Sequence, residues 1–267
     1  MVFQSTKTRL VVGTRLHLGN ASSPPEKTYC REFVTRYEEF ALSLNLEQAY
    51  LAVDASPKFG NYNLVEEIQS VLSDSSLIRI IPVTPWGSFV PALNAVITQA
   101  SKDEASHCLF CSAETWASPE SIRVLLMNMQ ADTLVTGAVL PGHAYQPHSL
   151  QKLSGITCPW NTLAIWNTAK LALTGFPLVA EGIHTLSDGS RVSGGVEEVS
   201  AISLIQKVLG PDLARAKLIL LSDFSWNQTF SDEGRREWHE QKMKSKLQRP
   251  AKHLELLNLE DGVVEHL

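Results

Sequence analysis

The sequence predicts an α/β domain built on a mixed, mostly parallel sheet with helices on both faces. Two observations predict it. Short apolar, β-branched runs alternate along the chain with stretches whose apolar residues recur at helical spacing, the rhythm of βαβ units. Polar residues also stand repeatedly where the predicted strands end, the edge at which open α/β sheets take their ligands.

The stretch from Leu77 to Pro119 shows both most clearly. Leu77-Ile78-Arg79-Ile80-Ile81-Pro82-Val83 reads as a buried strand, Pro85-Trp86-Gly87 as a turn and Ser88 as the N-cap of a helix carrying Phe89, Ala92, Leu93, Val96 and Ile97. A polar linker leads to a second buried run, Cys108-Leu109-Phe110-Cys111, which ends at Ser112-Ala113-Glu114-Thr115. A further helix starts near Ser118-Pro119-Glu120.

The other elements follow the same signals. Arg9 to Thr14 is a first strand. Tyr29 to Leu44, with Phe33, Tyr37, Phe40, Ala41 and Leu44 at helical spacing, is a helix. Ala49 to Val53 is a strand ending at Asp54-Ala55-Ser56, and Leu64 to Leu72 is a helix started near Asn63. Asp132 to Leu140 reads as a strand, Pro141 to Pro159 as loop, and Thr162 to Leu173 as strand then helix, stopped by Gly175. Val196 to Val208 is an amphipathic helix opened by two carboxylates, Ala216 to Leu221 a last strand, and Asp232 onward a charged helix interrupted at Pro250 before an apolar tail.

A chain of 267 residues with 44% hydrophobic composition is long enough for one large α/β domain, and no Pro/Gly/Ser-rich linker divides it. The expected organisation is a domain over 1–225 with a charged helical extension, 226–267, packed on it. A formal charge of −5 gives no general affinity for nucleic acid or anionic membrane. No run of about 18 apolar residues suggests a transmembrane segment, and Met1 to Lys7 lacks the apolar region of a signal peptide, so a soluble, cytoplasmic protein is expected. Asn20-Ala21-Ser22 and Asn227-Gln228-Thr229 are then glycosylation sequons in form only. Cys108 and Cys111 form a C-x-x-C string inside a predicted strand, where residues three apart point to opposite faces; core packing is the reading, not zinc.

The common phosphate and nucleophile signatures are absent: no GxGxxG follows the first strand, and there is no GxxxxGK[ST] or GxSxG. The eight histidines form no HExxH or similar metal spacing. What remains is the set of polar residues at strand ends, Thr14, Asp54 and Glu114, with Glu197-Glu198 opening a later helix. Glutamate is also favoured at a helix N-terminus by the dipole alone.

Taken in succession, Gly13-Thr14, Asp54-Ala55-Ser56, Trp86-Gly87-Ser88 through Ala92-Leu93-Asn94, Ser112-Ala113-Glu114 with Pro119, Asn161 with Leu173-Thr174-Gly175-Phe176, and Gly194-Gly195-Val196-Glu197-Glu198 resemble the motif series of the family 2 glycosyltransferases. The likeness covers about residues 8 to 225. It implies a GT-A-like (Rossmann-like) fold and transfer of a sugar from a nucleoside-diphosphate sugar to an acceptor hydroxyl, with inversion. By the same resemblance Glu198 is the catalytic base with Glu197 as its rival, and Thr14, Asp54, Gly87, Asn94 and Glu114 lie at the donor. Trp116, Trp160 and Asn161 fall on the acceptor side, an apolar wall for a sugar or a lipidic acceptor, with Trp86 and Trp166 near these motifs. Glu114 would hold a divalent cation, Mg2+ or Mn2+.

The chain departs from the pattern in three places. The family's Asp-x-Asp is Ser112-Ala113-Glu114, with one acid; the Arg of its Ala-Arg-Asn string is Leu93; its Glu-Asp is Glu-Glu. These departures leave two rival readings: a GT-A-fold binding protein without turnover, and the same scaffold serving another diphosphate such as an isoprenyl one. His239, after Trp238, could approach a diphosphate, and Arg235, Arg236, Lys242, Lys244, Lys246, Arg249 and Lys252 could lend it positive charge; a solvated helix face is the plainer reading of both. Because adjacent helix residues do not share a face, only one of Glu197 and Glu198 is expected to point into the site.

Overall fold

A computed structural model describes residues 8–19, 21–74, 76–112, 115, 117–186, 189–222 and 245–267. In chain order these form β1 (Leu10–Leu16), α1 (Lys27–Ser43), β2 (Ala49–Asp54), α2 (Leu64–Val71), β3 (Ile78–Val83), α3 (Val90–Lys102), β4 (His107–Cys111), α4 (Pro119–Met127) and β5 (Thr133–Ala138). After these come β6 (Ser149–Lys152), β7 (Leu163–Asn167), α5 (Thr168–Leu171), α6 (Glu197–Leu209), β8 (Arg215–Ile219), α7 (Gln248–Leu257) and β9 (Val263–His266). Short 3-10 turns cover Leu178–Glu181 and Pro211–Leu213.

The helix starts follow their local chemistry where that chemistry is present. Asn63 accepts from the backbone N–H of Val65 at 3.0 Å to open α2, and Ser118 accepts from Ser121 at 3.1 Å to open α4. α3 differs: its N-cap is Phe89, not Ser88, and no side chain of its own caps it. Pro250 falls in the first turn of α7, where a missing N–H costs nothing, so it starts that helix instead of interrupting it.

All nine strands join one sheet in the order β3-β2-β1-β4-β7-β5-β8-β9-β6. β3, β2, β1 and β4 are parallel, as expected for the first four strands. β7 inserts antiparallel between β4 and β5, and β6 closes one edge antiparallel to β9. Two strands were hidden from the sequence reading. β6 lies in the stretch read as loop, and β9 is the apolar tail, so the C-terminal segment adds a strand to the sheet as well as a helix. Both have four residues, too few to show a period against turn-rich surroundings.

The chain moves from β1 out to β3 and then crosses back to β4. Right-handed crossovers therefore put α1 and α2 on one face and α3 on the other. The crevice at the carboxyl ends of β1 and β4 is the switch point of the sheet. The central strands β2 and β5 are buried along their whole length, and Tyr37 of α1 sends its hydroxyl to the carbonyls of Tyr50 and Val12, at 2.9 and 3.1 Å. α3 lies so near β1 that a Cβ on Gly13 would stand 2.4 Å from Val96 Cγ1.

Among the described residues no helix is long and apolar enough to cross a membrane. Cys30, Cys108, Cys111 and Cys158 are free and buried, as core packing requires.

The contact between Gly13 and Val96 is testable. Gly13→Ala should cost about 1 to 3 kcal/mol in urea unfolding through overpacking. The double variant with Val96→Ala should recover part of that loss, since it removes the atom in the way.

Candidate functional site

The carboxyl ends of β1 and β4 lie beside the start of the antiparallel β7, and several of the predicted residues fall near this edge. Thr14 is buried, and its hydroxyl donates to the carbonyl of Cys111 at 2.7 Å, joining β1 and β4 across the switch point. Asp54 ends β2; its Oδ1 accepts from Ser56 N at 2.9 Å, closing a turn. Asn94 does not face that edge with a free amide. Its Nδ2 donates to the carbonyl of Phe176 at 3.0 Å and its Oδ1 accepts from the N–H of the same residue at 2.8 Å. Glu114 and Trp116, with His239 and the basic residues Arg235, Arg236, Lys242 and Lys244, lie outside the described residues, as do Asn20 and the second sequon.

Gly87, at φ +65°, makes the turn into α3, and a Cβ there would stand 2.3 Å from Glu181 Oε1. Glu181 is the residue that sequence reasoning missed. Its carboxylate accepts from three successive backbone N–H groups at the start of α3: Ser88, Phe89 at 3.0 and 3.1 Å, and Val90 at 2.7 Å. A helix leaves its first N–H groups without partners, and an anion there is favoured by the dipole as well. No local pattern pairs residues 88–90 with residue 181, so only the tertiary fold reveals this cap.

The turn that holds Glu181 also positions α6. Ala180 accepts from the N–H of Gly195 at 2.8 Å, and Gly182, at φ +73°, passes so close to Gly194 that a Cβ would meet its nitrogen at 2.6 Å. α7 fastens the same loop from outside: Arg249 Nη1 donates to the carbonyl of Gly194 at 2.8 Å, and His253 Nε2 lies 2.9 Å from that of Ser193. The chain then enters α6 through Val196, at φ +61° and ψ +44°. A β-branched residue in the left-handed region is strained, and such strain concentrates at functional sites.

Glu197 and Glu198 follow, each 5% exposed. Both are enclosed. Facing rules hold along an open helix surface, whereas this first turn is closed over from several sides. Asn161, just before β7, reaches both carboxylates: its backbone N–H donates to Glu198 Oε1 at 2.6 Å, and its Nδ2 to Glu197 Oε1 at 3.2 Å. Ser112 donates from its backbone to the Thr162 carbonyl at 3.0 Å, so Asn161 stands beside the segment that leaves β4. Burial, and next the Glu197 carboxylate, push the Glu198 carboxyl up to about 8, against the Asn161 N–H and the Lys246 ammonium. Arg249 lies in the field of both acids.

Trp160, Trp166 and Trp86 are all buried. The Trp160 ring is in contact with two groups: His143 packs at 3.7 Å between centroids, and the Lys246 ammonium sits 2.8 Å from the ring centre. Trp86 packs against His17 at 5.6 Å.

The expected metal ligand, Glu114, lies outside the described residues. No group of three His, Cys, Asp or Glu side chains stands together among the described residues, and Asp54 is turned into its own loop.

Among solved structures, the chain is similar to the mannosyltransferase PcManGT from Pyrobaculum calidifontis, in complex with GDP-Man and Mn2+, with a TM-score of 0.54 and 11% identity. The match covers 95% of this chain and 65% of that one, so this chain spans a little under two thirds of its neighbour's length. Looser matches include 4-diphosphocytidyl-2C-methyl-D-erythritol synthase from Anaerococcus prevotii (TM-score 0.44, 8% identity, 89% of this chain and 97% of that one). Another is GalNAc-T7 with UDP, GalNAc and Mn2+ (TM-score 0.43, 9% identity, 70% and 40%). No family model matches the sequence, and no curated protein matches it. The mannosyltransferase likeness shows the fold: a GT-A-like, mostly parallel sheet with helices on both faces.

Glu181→Ala should destabilise the protein by about 2 to 4 kcal/mol, because it leaves the α3 N–H groups buried without an acceptor. Glu181→Gln, which keeps one acceptor oxygen, should cost about half as much. Urea midpoints of the two variants check the order.

Proposed function

We propose that the chain is a glycosyltransferase that moves a sugar from a nucleoside-diphosphate sugar to an acceptor hydroxyl, with inversion. The observation that carries this reading is the buried carboxylate pair at the carboxyl edge of the sheet, where GT-A-like folds present their reacting groups. PcManGT is bound to GDP-Man in its structure, which supports a nucleotide-sugar donor for this scaffold.

In this reading the donor lies across the ends of β1, β2 and β4, with Asp54 toward the nucleotide and Gly87 and Glu114 toward the diphosphate. Thr14 and Asn94 serve by holding the walls, since their polar atoms are spent on Cys111 and Phe176. Asn161 belongs to the acceptor side with Trp116, and the acceptor is a small molecule or a lipid. Trp160 supports that side from within.

Glu198 takes the proton from the attacking hydroxyl, so the acceptor oxygen can displace the nucleoside diphosphate at the anomeric carbon. It works in its ionised form. Burial delays that ionisation to about pH 8 and leaves a carboxylate more basic than one in water. Glu114 would hold the divalent cation, Mg2+ or Mn2+, that offsets the charge of the diphosphate. A GT-A-fold binding protein is the second reading; the internal engagement of Thr14, Asn94 and Glu181 favours it.

Turnover of nucleotide sugars and calorimetric donor binding separate the two. Glu198→Gln should lower turnover by about 100- to 10,000-fold with donor affinity retained. If Glu197→Gln does so instead, the roles of the pair are exchanged; binding without turnover by the unaltered protein, across an acceptor panel, sinks the enzyme. The rate should rise with pH to a plateau above about 8.

Stability gives an independent readout. Folded Glu198 keeps a proton that the unfolded chain releases near the usual carboxylate value, so stability falls as pH rises from there to about 8 and is level beyond. Glu198→Gln should remove that slope and be more stable than the parent at pH 8, by on the order of 2 kcal/mol.

A further inference from the structure

The end of β1 runs along the start of α3 with a period of two. Gly13 lies under Val96 of α3, Arg15 meets the carbonyl of Phe89, and His17 packs on the Trp86 ring. Alternate residues of a strand share a face, so β1 carries Arg15 on its α3 face, one residue before the strand ends. Arg15 is half-buried there. It pairs in register with Ala52, two residues short of Asp54 at the end of β2.

No local interaction accounts for that placement. Arginine carries five N–H donors and a charge that it cannot shed. Arg79, Arg123 and Arg215 each meet a carboxylate. Among the described residues Arg15 meets none, and its one hydrogen bond runs from Nη1 to the Phe89 carbonyl at 3.4 Å, beyond the usual N–H···O range. The acid of that turn, Glu181, is taken up by the N–H groups of Ser88, Phe89 and Val90. The positive end of the α3 dipole also disfavours a cation, so Arg15 does not stand there for the sake of the helix.

A ligand of opposite charge accounts for it. The charge of a diphosphate must be offset, and the single acid Glu114 holds a divalent cation less tightly than two acids would. A planar guanidinium meets phosphate oxygens through paired N–H groups. We propose that Arg15 is a diphosphate-binding residue, whose guanidinium leaves the Phe89 carbonyl to take the phosphate oxygens of the donor. This rests on the donor lying across the ends of β1 and β2, as in the proposed function. During transfer the same charge would stabilise the departing nucleoside diphosphate.

Calorimetry of the full chain with UDP, GDP and geranyl diphosphate, each in EDTA and in Mg2+, tests this. The parent protein should bind at least one of them, and in the same medium Arg15→Ala should weaken that binding by about 10- to 100-fold. Arg15→Lys, which keeps the charge but not the planar fork, should recover part of the loss. Added KCl should weaken the parent's binding more than that of Arg15→Ala, because the variant lacks one fixed charge. Urea midpoints of both variants should stay near the parent's, since the fold loses only one long hydrogen bond. Three outcomes would overturn the proposal: unchanged affinity in Arg15→Ala, a loss that follows a lowered midpoint and that lysine does not recover, or a parent that binds no diphosphate. Arg15-dependent binding of UDP or GDP without sugar turnover, or of geranyl diphosphate alone, would uphold Arg15 while the sugar transfer fell. Turnover with kcat/KM unchanged in Arg15→Ala would leave the transferase standing and remove Arg15 from its donor site.

Discussion

The structure depends on one carboxylate placed over three peptide N–H groups. Glu181 satisfies the first turn of α3, and the N-cap position itself supplies no side-chain bond there: Ser88 points no cap at it, and Phe89 has none to offer. Buried donors left without an acceptor cost about 1 to 3 kcal/mol each, so the association of residue 181 with residues 88–90 is obligatory for the helix as built. It also joins two distant stretches of the chain. α3 follows β3 and packs beside β1, while the turn that carries Glu181 bonds through Ala180 to Gly195, one residue before the strained entry to α6. A displacement on one side is therefore transmitted to the carboxylate pair through two hydrogen-bonded contacts and a glycine–glycine approach too close for any Cβ.

The strain and the electrostatic cost collect at the far end of that chain of contacts. Val196 adopts a conformation that β-branched residues avoid, and the next two residues are acids pressed into a space that disfavours their charge. Each local rule is broken within three residues. Elsewhere the sequence and the fold agree, from the Asn63 and Ser118 caps to the fully buried β2 and β5. Natural proteins concentrate such conflicts where function requires them.

What the sequence made legible follows the range of the physics involved. Helical spacing in Tyr29 to Leu44 and the β-branched run at Ile78 to Val83 are local signals, and the elements formed where those signals put them. The carboxyl ends of the parallel strands were legible too, because strand ends are local features and the crossover rule is general. The Glu181 cap and the bond from Trp166 Nε1 to Asn161 Oδ1 were not. Each joins residues through tertiary geometry, and neither a lone glutamate before Gly182 nor a tryptophan in a buried strand carries a sign of its partner. β6 and β9 escaped for a different reason: their pairing partner is what makes them strands. Of the polar residues read at strand ends, Asp54 ends β2, Thr14 lies two residues inside the end of β1, and Glu114 is outside the described residues; the bonds of Thr14 and Asn94 were not legible. Thr14 and Asn94 turn inward to Cys111 and Phe176, a choice that depends on neighbours far away in the chain.

The carboxylate at position 198 can be weighed against its own amide. The hydrogen bond that Asn161 N–H donates to Oε1 is a bond that glutamine would accept equally well. Glutamine would fill the same volume with no ionisation to suppress and no quarrel with Glu197. As a cap or a packing group, the acid is thus the inferior residue, and its burial lowers stability over the whole range from the ordinary carboxylate value to about pH 8. A carboxyl held at that poise does one thing glutamine cannot, which is to take and release a proton near neutral pH. The geometry that makes Glu198 a poor structural residue is the geometry its proposed role as a base calls for.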